Sequence, residues 1–229
     1  METTYWQLKT DLFTLQRREA ALKDALAQAK FDLRNAKAAQ LEYNGSFRKF
    51  LDKFSGHQQD RLYALKSEYT KAEGRLNTLT REKQETEAAL AETRAKLDAL
   101  PEPEDDPRGE AKFCIACLQV LLPEADKALT ERRTLMQGAV PGQIMTHEDR
   151  QRIYAKGDRA AEDCAQLLKS LDAALRTLNI PFTLPACYEN PTAYLANATQ
   201  YTAKDRLNDL MAQTVKLSRL LPDLLRQVG

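Results

Sequence analysis

Cys114-Ile115-Ala116-Cys117 places two thiols three residues apart, the spacing of redox-active pairs and of half a structural zinc site. A redox pair needs an exposed position after a strand and one thiol of lowered pKa. A zinc site needs a second paired motif, and none occurs; Cys164, Cys187 and His147 could complete a set only through long-range folding. Phe113, Ile115, Ala116 and Leu118 surround the pair, so the sequence favours two buried thiols on one helix face. Zinc or redox chemistry on this CxxC is the lesser alternative, and no cofactor is expected.

The two imidazoles offer little more. His147-Glu148 begins like a zincin motif, but Gln151 stands where its second His must be. Phe54 and Ile144 lie three residues before His57 and His147, which removes the Glu-x-x-His pairs of di-iron bundles. The eight glycines form no phosphate-binding loop, and carboxylate pairs such as Glu162-Asp163 mark an ordinary wet helix face. An enzyme is not expected.

Two stretches remain as interaction candidates. In Phe47-Arg48-Lys49-Phe50-Leu51-Asp52-Lys53-Phe54, three phenylalanines follow the apolar row of the preceding helix while Arg48, Lys49 and Lys53 face elsewhere. Such a segment suits a membrane surface or a partner, although the same aromatics could simply seal the end of a helical hairpin. The connection 179–189 is apolar for a loop; Phe182 and Tyr188 either pack on the neighbouring helices or form a binding surface.

The elements that must carry these residues are read from apolar periodicity. Steps of three and four from Tyr5 run through Leu8, Leu12, Leu15, Leu22, Leu26, Ala29, Leu33, Ala36, Tyr43, Phe47 and Phe50 to Phe54, interrupted only by Glu19 and Gln40. A 3.5-residue repeat sustained this long predicts a coiled-coil seam. A second row runs from Leu62 to Leu100, out of phase by one residue. The slip predicts a hairpin turn at 55–57, where Gly56 can take the left-handed conformation. Asn44-Gly45-Ser46 is the better turn by local chemistry, but phase continuity through Phe54 favours the later site.

Pro101 to Gly109, with three prolines and four acids, predicts a stiff solvated linker. Beyond it the pattern predicts three helices. The first spans about 109–137 across Pro123. The second is capped by Thr146 with Asp149 and stopped at Asn179-Ile180-Pro181. The third runs unbroken from Asn190-Pro191.

The 229 residues therefore predict an all-α protein. An antiparallel coiled-coil hairpin over 1–100 is followed by a linker over 101–109 and an up-down-up three-helix bundle over 110–229. Charge excludes one class of partner. With 34 basic and 33 acidic residues the net charge is +1, and neither half is a basic arm, so nucleic-acid binding driven by net charge is not expected. No apolar stretch approaches the ~20 residues of a membrane span. Four cysteines are too few for a disulfide framework at this size and fit a reducing cytoplasm. The favoured function is a non-enzymatic scaffold or adaptor that binds protein partners, a second copy of the chain among them. The alternative is a peripheral binder of anionic membrane or nucleic acid through Arg48, Lys49 and Lys53.

Overall fold

A computed structural model describes residues 4–137, 146–196 and 202–229, with the side chain of Phe47 left out. Among these residues the chain is helical throughout, with no strand. It divides into two compact units, residues 11–99 and residues 1–10 with 100–229.

The first unit is an antiparallel hairpin. Helix α1 spans Tyr5–Gly45, α2 spans Phe47–Ser55 and α3 spans Gln58–Asp98. Gln40 Nε2 of α1 donates to the Leu65 carbonyl of α3 at 3.1 Å, and Arg75 meets Asp32 at 3.5 Å. Residue numbers rise on one helix as they fall on the other, so the pair is antiparallel. The periodic rows are the facing rows: each row position in this unit from Leu12 to Tyr43, and from Leu65 to Leu97, is buried or half-buried. Polar positions in the rows keep their charges at the edge. Glu19 takes a hydrogen bond from Lys23, which holds its carboxyl below the usual range, with Lys83 and Arg94 acting more weakly.

The reversal includes the expected turn at 55–57 and adds a second break that phase continuity did not foresee. The chain breaks twice, at Ser46, which is extended (φ −91°, ψ 150°), and at Gly56, which is left-handed (φ 77°). Asn44, Gly45 and Ser46 are poor helix formers, and the Ser46 hydroxyl donates to the Tyr43 carbonyl at 2.9 Å, closing the end of α1. Local chemistry thus prevails over phase. The apolar row stops serving the seam at Tyr43, and Phe50 and Phe54 do not seal it: they are 54% and 77% exposed.

The second unit is built on α4 (Pro107–Met136), which packs against both α5 (His147–Thr177) and α7 (Ala203–Val228). Helix α4 begins earlier than the linker reading allows, because Pro107 takes the first helical position and Asp106 caps it, Oδ1 accepting from Gly109 N at 2.9 Å. Thr146 and Asp149 form the expected capping box on α5. Asn179 in the left-handed conformation ends α5, and Ile180 N returns to the Leu175 carbonyl at 2.9 Å. The core is dry: Ile115, Leu118, Leu122, Leu129, Leu168, Leu171, Leu175, Leu210 and Leu221 are fully buried.

The third helix is not continuous from Pro191. A short α6 (Pro191–Ala196) is capped by Asn190, whose side chain accepts from Ala193 N at 2.9 Å. Tyr194 Oη donates to Asp209 at 2.7 Å, and Arg206 donates to the Tyr194 carbonyl at 2.7 Å. One straight helix would hold positions 194 and 209 about 22 Å apart, so these bonds require the chain to fold back between α6 and α7. Lys156 on α5 reaches Glu131 on α4 at 2.8 Å, and Lys112 near the start of α4 donates to the carbonyl of Gly229. Both α5 and α7 therefore run opposite to α4. Residues 178–196, with a 3-10 turn at Ala186–Tyr188 and α6, belong to the leg that returns along the bundle.

The N-terminal turn of α1 docks on the start of α4 within this unit. Trp6 Nε1 donates to Asp106 Oδ2 at 2.9 Å, the Trp6 and Phe113 rings lie 5.8 Å apart, and the Lys9 ammonium lies 4.8 Å from the Trp6 ring centre. Gly109 leaves the indole its space, since a Cβ there would fall 2.0 Å from Trp6 Cδ1. Gly74 in α3 has nothing within 4 Å of an added Cβ. Gly109→Ala is expected to lower stability by about 1–3 kcal/mol and perturb Trp6 fluorescence. Gly74→Ala is expected to raise stability by up to about 1 kcal/mol. Urea unfolding followed by circular dichroism separates the two, and equal effects would refute the indole contact.

Candidate functional site: the hairpin tip

Helix α2 is nine residues long and strongly amphipathic, and it is mounted inside out. Phe50, Leu51 and Phe54 recur at a helical spacing that gathers them on one face. In a globular protein that face points inward. Here Phe50, Leu51 and Phe54 are all more than half exposed, and the Phe50 and Phe54 rings meet edge to face at 4.8 Å.

Two flanking residues and one internal bond fix this orientation. Ser46 and Gly56 turn the chain at each end. On the opposite side of α2, Asp52 Oδ2 accepts from Tyr43 Oη at 2.9 Å, and Tyr43 is buried in the seam. Burial and this bond to a carboxylate push the Tyr43 hydroxyl above its ordinary pKa, so it remains a donor at neutral pH. Tying Asp52 to α1 holds the Asp52 side of α2 against the hairpin and leaves its apolar side outward.

Charge completes the site. Arg48, Lys49 and Lys53 lie in the same nine residues, with Asp52 as the one acid. Lys49 Nζ also donates to Asn44 at 3.2 Å. Arg48 and Asp52 share a shallow depression with His57, Asp60, Arg61 and Ala64, where both signs of charge alternate. The tip can therefore present apolar area and positive charge together. It holds no nucleophile–base pair among the described residues.

The other sequence candidates are dispersed. Tyr188 is no surface group: it is fully buried, and Phe182 is half-buried. Tyr188 Oη lies 2.6 Å from Thr214 Oγ1, whose own proton goes to the Leu210 carbonyl at 2.7 Å, so the tyrosine is the donor. Its apolar neighbours in sequence pointed to burial, while the need for a partner on the hydroxyl was not visible. All four cysteines are buried and none forms a disulfide. Desolvation pushes the Cys114 and Cys117 thiols up to about 12, and Cys187 up to about 11, the reverse of a redox-active pair. Among the described residues no three His, Cys, Asp or Glu side chains converge to hold a metal. His57 and His147 are exposed at helix starts, and His147 pairs with Gln151 at 2.9 Å. Among the described residues no helix is long and apolar enough to cross a membrane.

The Trp6–Asp106–Gly109 contact escaped the sequence reading. Its signals were a lone tryptophan just off the seam and the dipeptide Asp106-Pro107, which starts helices. Comparison with known protein families, curated proteins and solved structures finds no match to this chain.

Two measurements check the buried groups. Iodoacetamide at neutral pH is expected to leave Cys114, Cys117 and Cys187 unmodified until denaturant is added, since their thiolates become abundant only near the raised pKa values. Rapid native labelling of any of the three would contradict the burial. Thr214→Val strands the Tyr188 proton and should cost about 1–3 kcal/mol. Adding Tyr188→Phe should recover part of that loss, and strict additivity of the two would mean the bond is not formed.

Proposed function

We propose that this protein is a non-enzymatic helical scaffold or adaptor whose hairpin offers its helix faces to protein partners. One observation carries the reading. Among the described residues the bundle's large apolar side chains are at most 38% exposed, whereas the hairpin leaves several far more open to water. Phe31 is 58% exposed and Leu41 is 65% exposed, while the buried side chains of residues 11–99 are Leu22, Leu26, Ala29, Tyr43, Leu65 and Thr86. Two helices bury one strip each, and a third or fourth helix is the usual cover for the rest.

A second copy of the chain is the simplest protein partner, because it brings the same half-covered helices. Four buried cysteines without a disulfide fit a cytoplasmic setting. Raised thiol pKa values and imidazoles exposed at helix starts support a role without catalysis.

A photoreactive benzoylphenylalanine at Phe31 or Leu41, in the full chain and in the producing cell, tests this. Discrete protein adducts are expected at both sites, with doubled mass where the partner is a second copy. Their yield should exceed by about tenfold that from the same group at exposed Arg81. Adduct yields at 31 and 41 no higher than at 81 would remove the basis for the scaffold.

A further inference from the structure

We infer that the hairpin tip is a docking site for an anionic lipid surface, with α2 lying in the headgroup layer and Phe50, Leu51 and Phe54 entering the membrane. The inference uses a surface separate from the Phe31 and Leu41 positions and does not depend on the scaffold reading.

Three observations converge on a lipid occupant. The first is shape. A nine-residue helix at the end of a hairpin is convex, and its apolar side chains, 53–77% exposed, point outward. A bilayer accepts a convex amphipathic face anywhere on its plane, whereas a protein partner needs a matching groove. The second is charge. By helical spacing Arg48 and Lys53 flank that apolar face on either side, Lys49 lies on the far side and reaches Asn44, and α2 carries these three cations against the single acid Asp52. Anionic headgroups attract such a cluster, and the lysine and arginine stems let the charges stay in the headgroup layer as the rings sink deeper. The third is mounting. Ser46 and Gly56 set α2 apart from α1 and α3, and the Asp52–Tyr43 bond anchors its polar side. The apolar residues can enter lipid without opening the hairpin seam, whose last buried residue on α1 is Tyr43.

Nucleic acid suits the tip less well. Its affinity grows with the number of neutralised phosphates, and three cations on one short helix neutralise few. Leu51, the aliphatic member of the exposed face, adds nothing to base stacking.

Flotation of the full chain with vesicles tests the assignment. Vesicles of phosphatidylcholine with phosphatidylserine should carry the protein at low salt, and vesicles of phosphatidylcholine alone should carry it about tenfold less well. Phe50→Ser with Phe54→Ser, and separately Arg48→Glu with Lys49→Glu and Lys53→Glu, should each reduce binding by about tenfold or more. Because these side chains are exposed, helix content by circular dichroism should not change. A tryptophan in Leu51→Trp should shift its emission to the blue only with anionic vesicles. No binding to anionic vesicles, equal binding to both vesicle types, or binding that survives both variants overturns the proposal. Tighter binding to duplex DNA or single-stranded RNA than to vesicles overturns it as well. Cross-linking at Phe31 and Leu41 in the same tip variants tells the two readings apart. Adducts there survive if only the lipid assignment fails.

Discussion

Two helices laid side by side can shield only the strip along which they touch, and the hairpin of residues 11–99 is organised by that limit. Its seam accepts polar residues because each seam side chain lies near an edge. Gln40 crosses to the Leu65 carbonyl, and Glu19 finds Lys23. Hydrophobic burial supplies little fixity of register over so narrow a strip, and directional bonds of this kind supply more. The same limit leaves Phe31 and Leu41 in water. These exposures follow from having two helices where a self-sufficient core needs three or more.

The bundle meets the limit differently. Helix α4 is covered by α5 and α7, and the returning connection adds Tyr188 and Leu195 to the same core. A buried tyrosine imposes a condition that leucine does not: its hydroxyl must find an acceptor in the core. Thr214 meets it, because a threonine in a helix interior can send its own proton to the carbonyl four residues back and keep a lone pair free. Asp106 answers two demands in the same way, one carboxylate oxygen capping α4 and the other holding Trp6. Both devices let polar groups sit at the margin of an apolar core without going unpaired.

The legibility of the sequence tracks which physical effect dominated at each place. Long-range periodicity governs the seam, and the heptad rows give α3 closely and α1 as far as Tyr43. Capping chemistry governs helix ends, and Thr146 with Asp149, Asn179 and Asn190 were all readable. The reading failed where two rules conflicted. At residues 44–46 the phase favoured continuation and the residue types favoured a break, and the residue types prevailed because one poorly placed turn costs more than a seam position loses. At Pro107 a breaker was taken for linker when it was a helix start. The split between α6 and α7 rests on Tyr194 bonding to Asp209 and Arg206, a tertiary contact that no local pattern announces. The site followed the same rule. Arg48, Lys49, Phe50, Lys53 and Phe54 were marked by composition, but the direction α2 faces depends on Asp52 meeting Tyr43, nine residues away.

That bond also explains why an inverted amphipathic helix can persist. Turned inward, α2 would lay its phenylalanines on α1 and α3 and leave Asp52 in water, a rearrangement that hydrophobic burial alone would favour. The turns oppose it: Ser46 is held extended with its hydroxyl on Tyr43, and Gly56 takes a conformation that other residues adopt only with strain. Rotating α2 about its axis would break the Asp52–Tyr43 bond and leave the Tyr43 hydroxyl buried beside the seam without its acceptor. An arrangement that holds three large apolar side chains in water spends stability on presenting them, and the cations beside them set the sign of the surface they can meet.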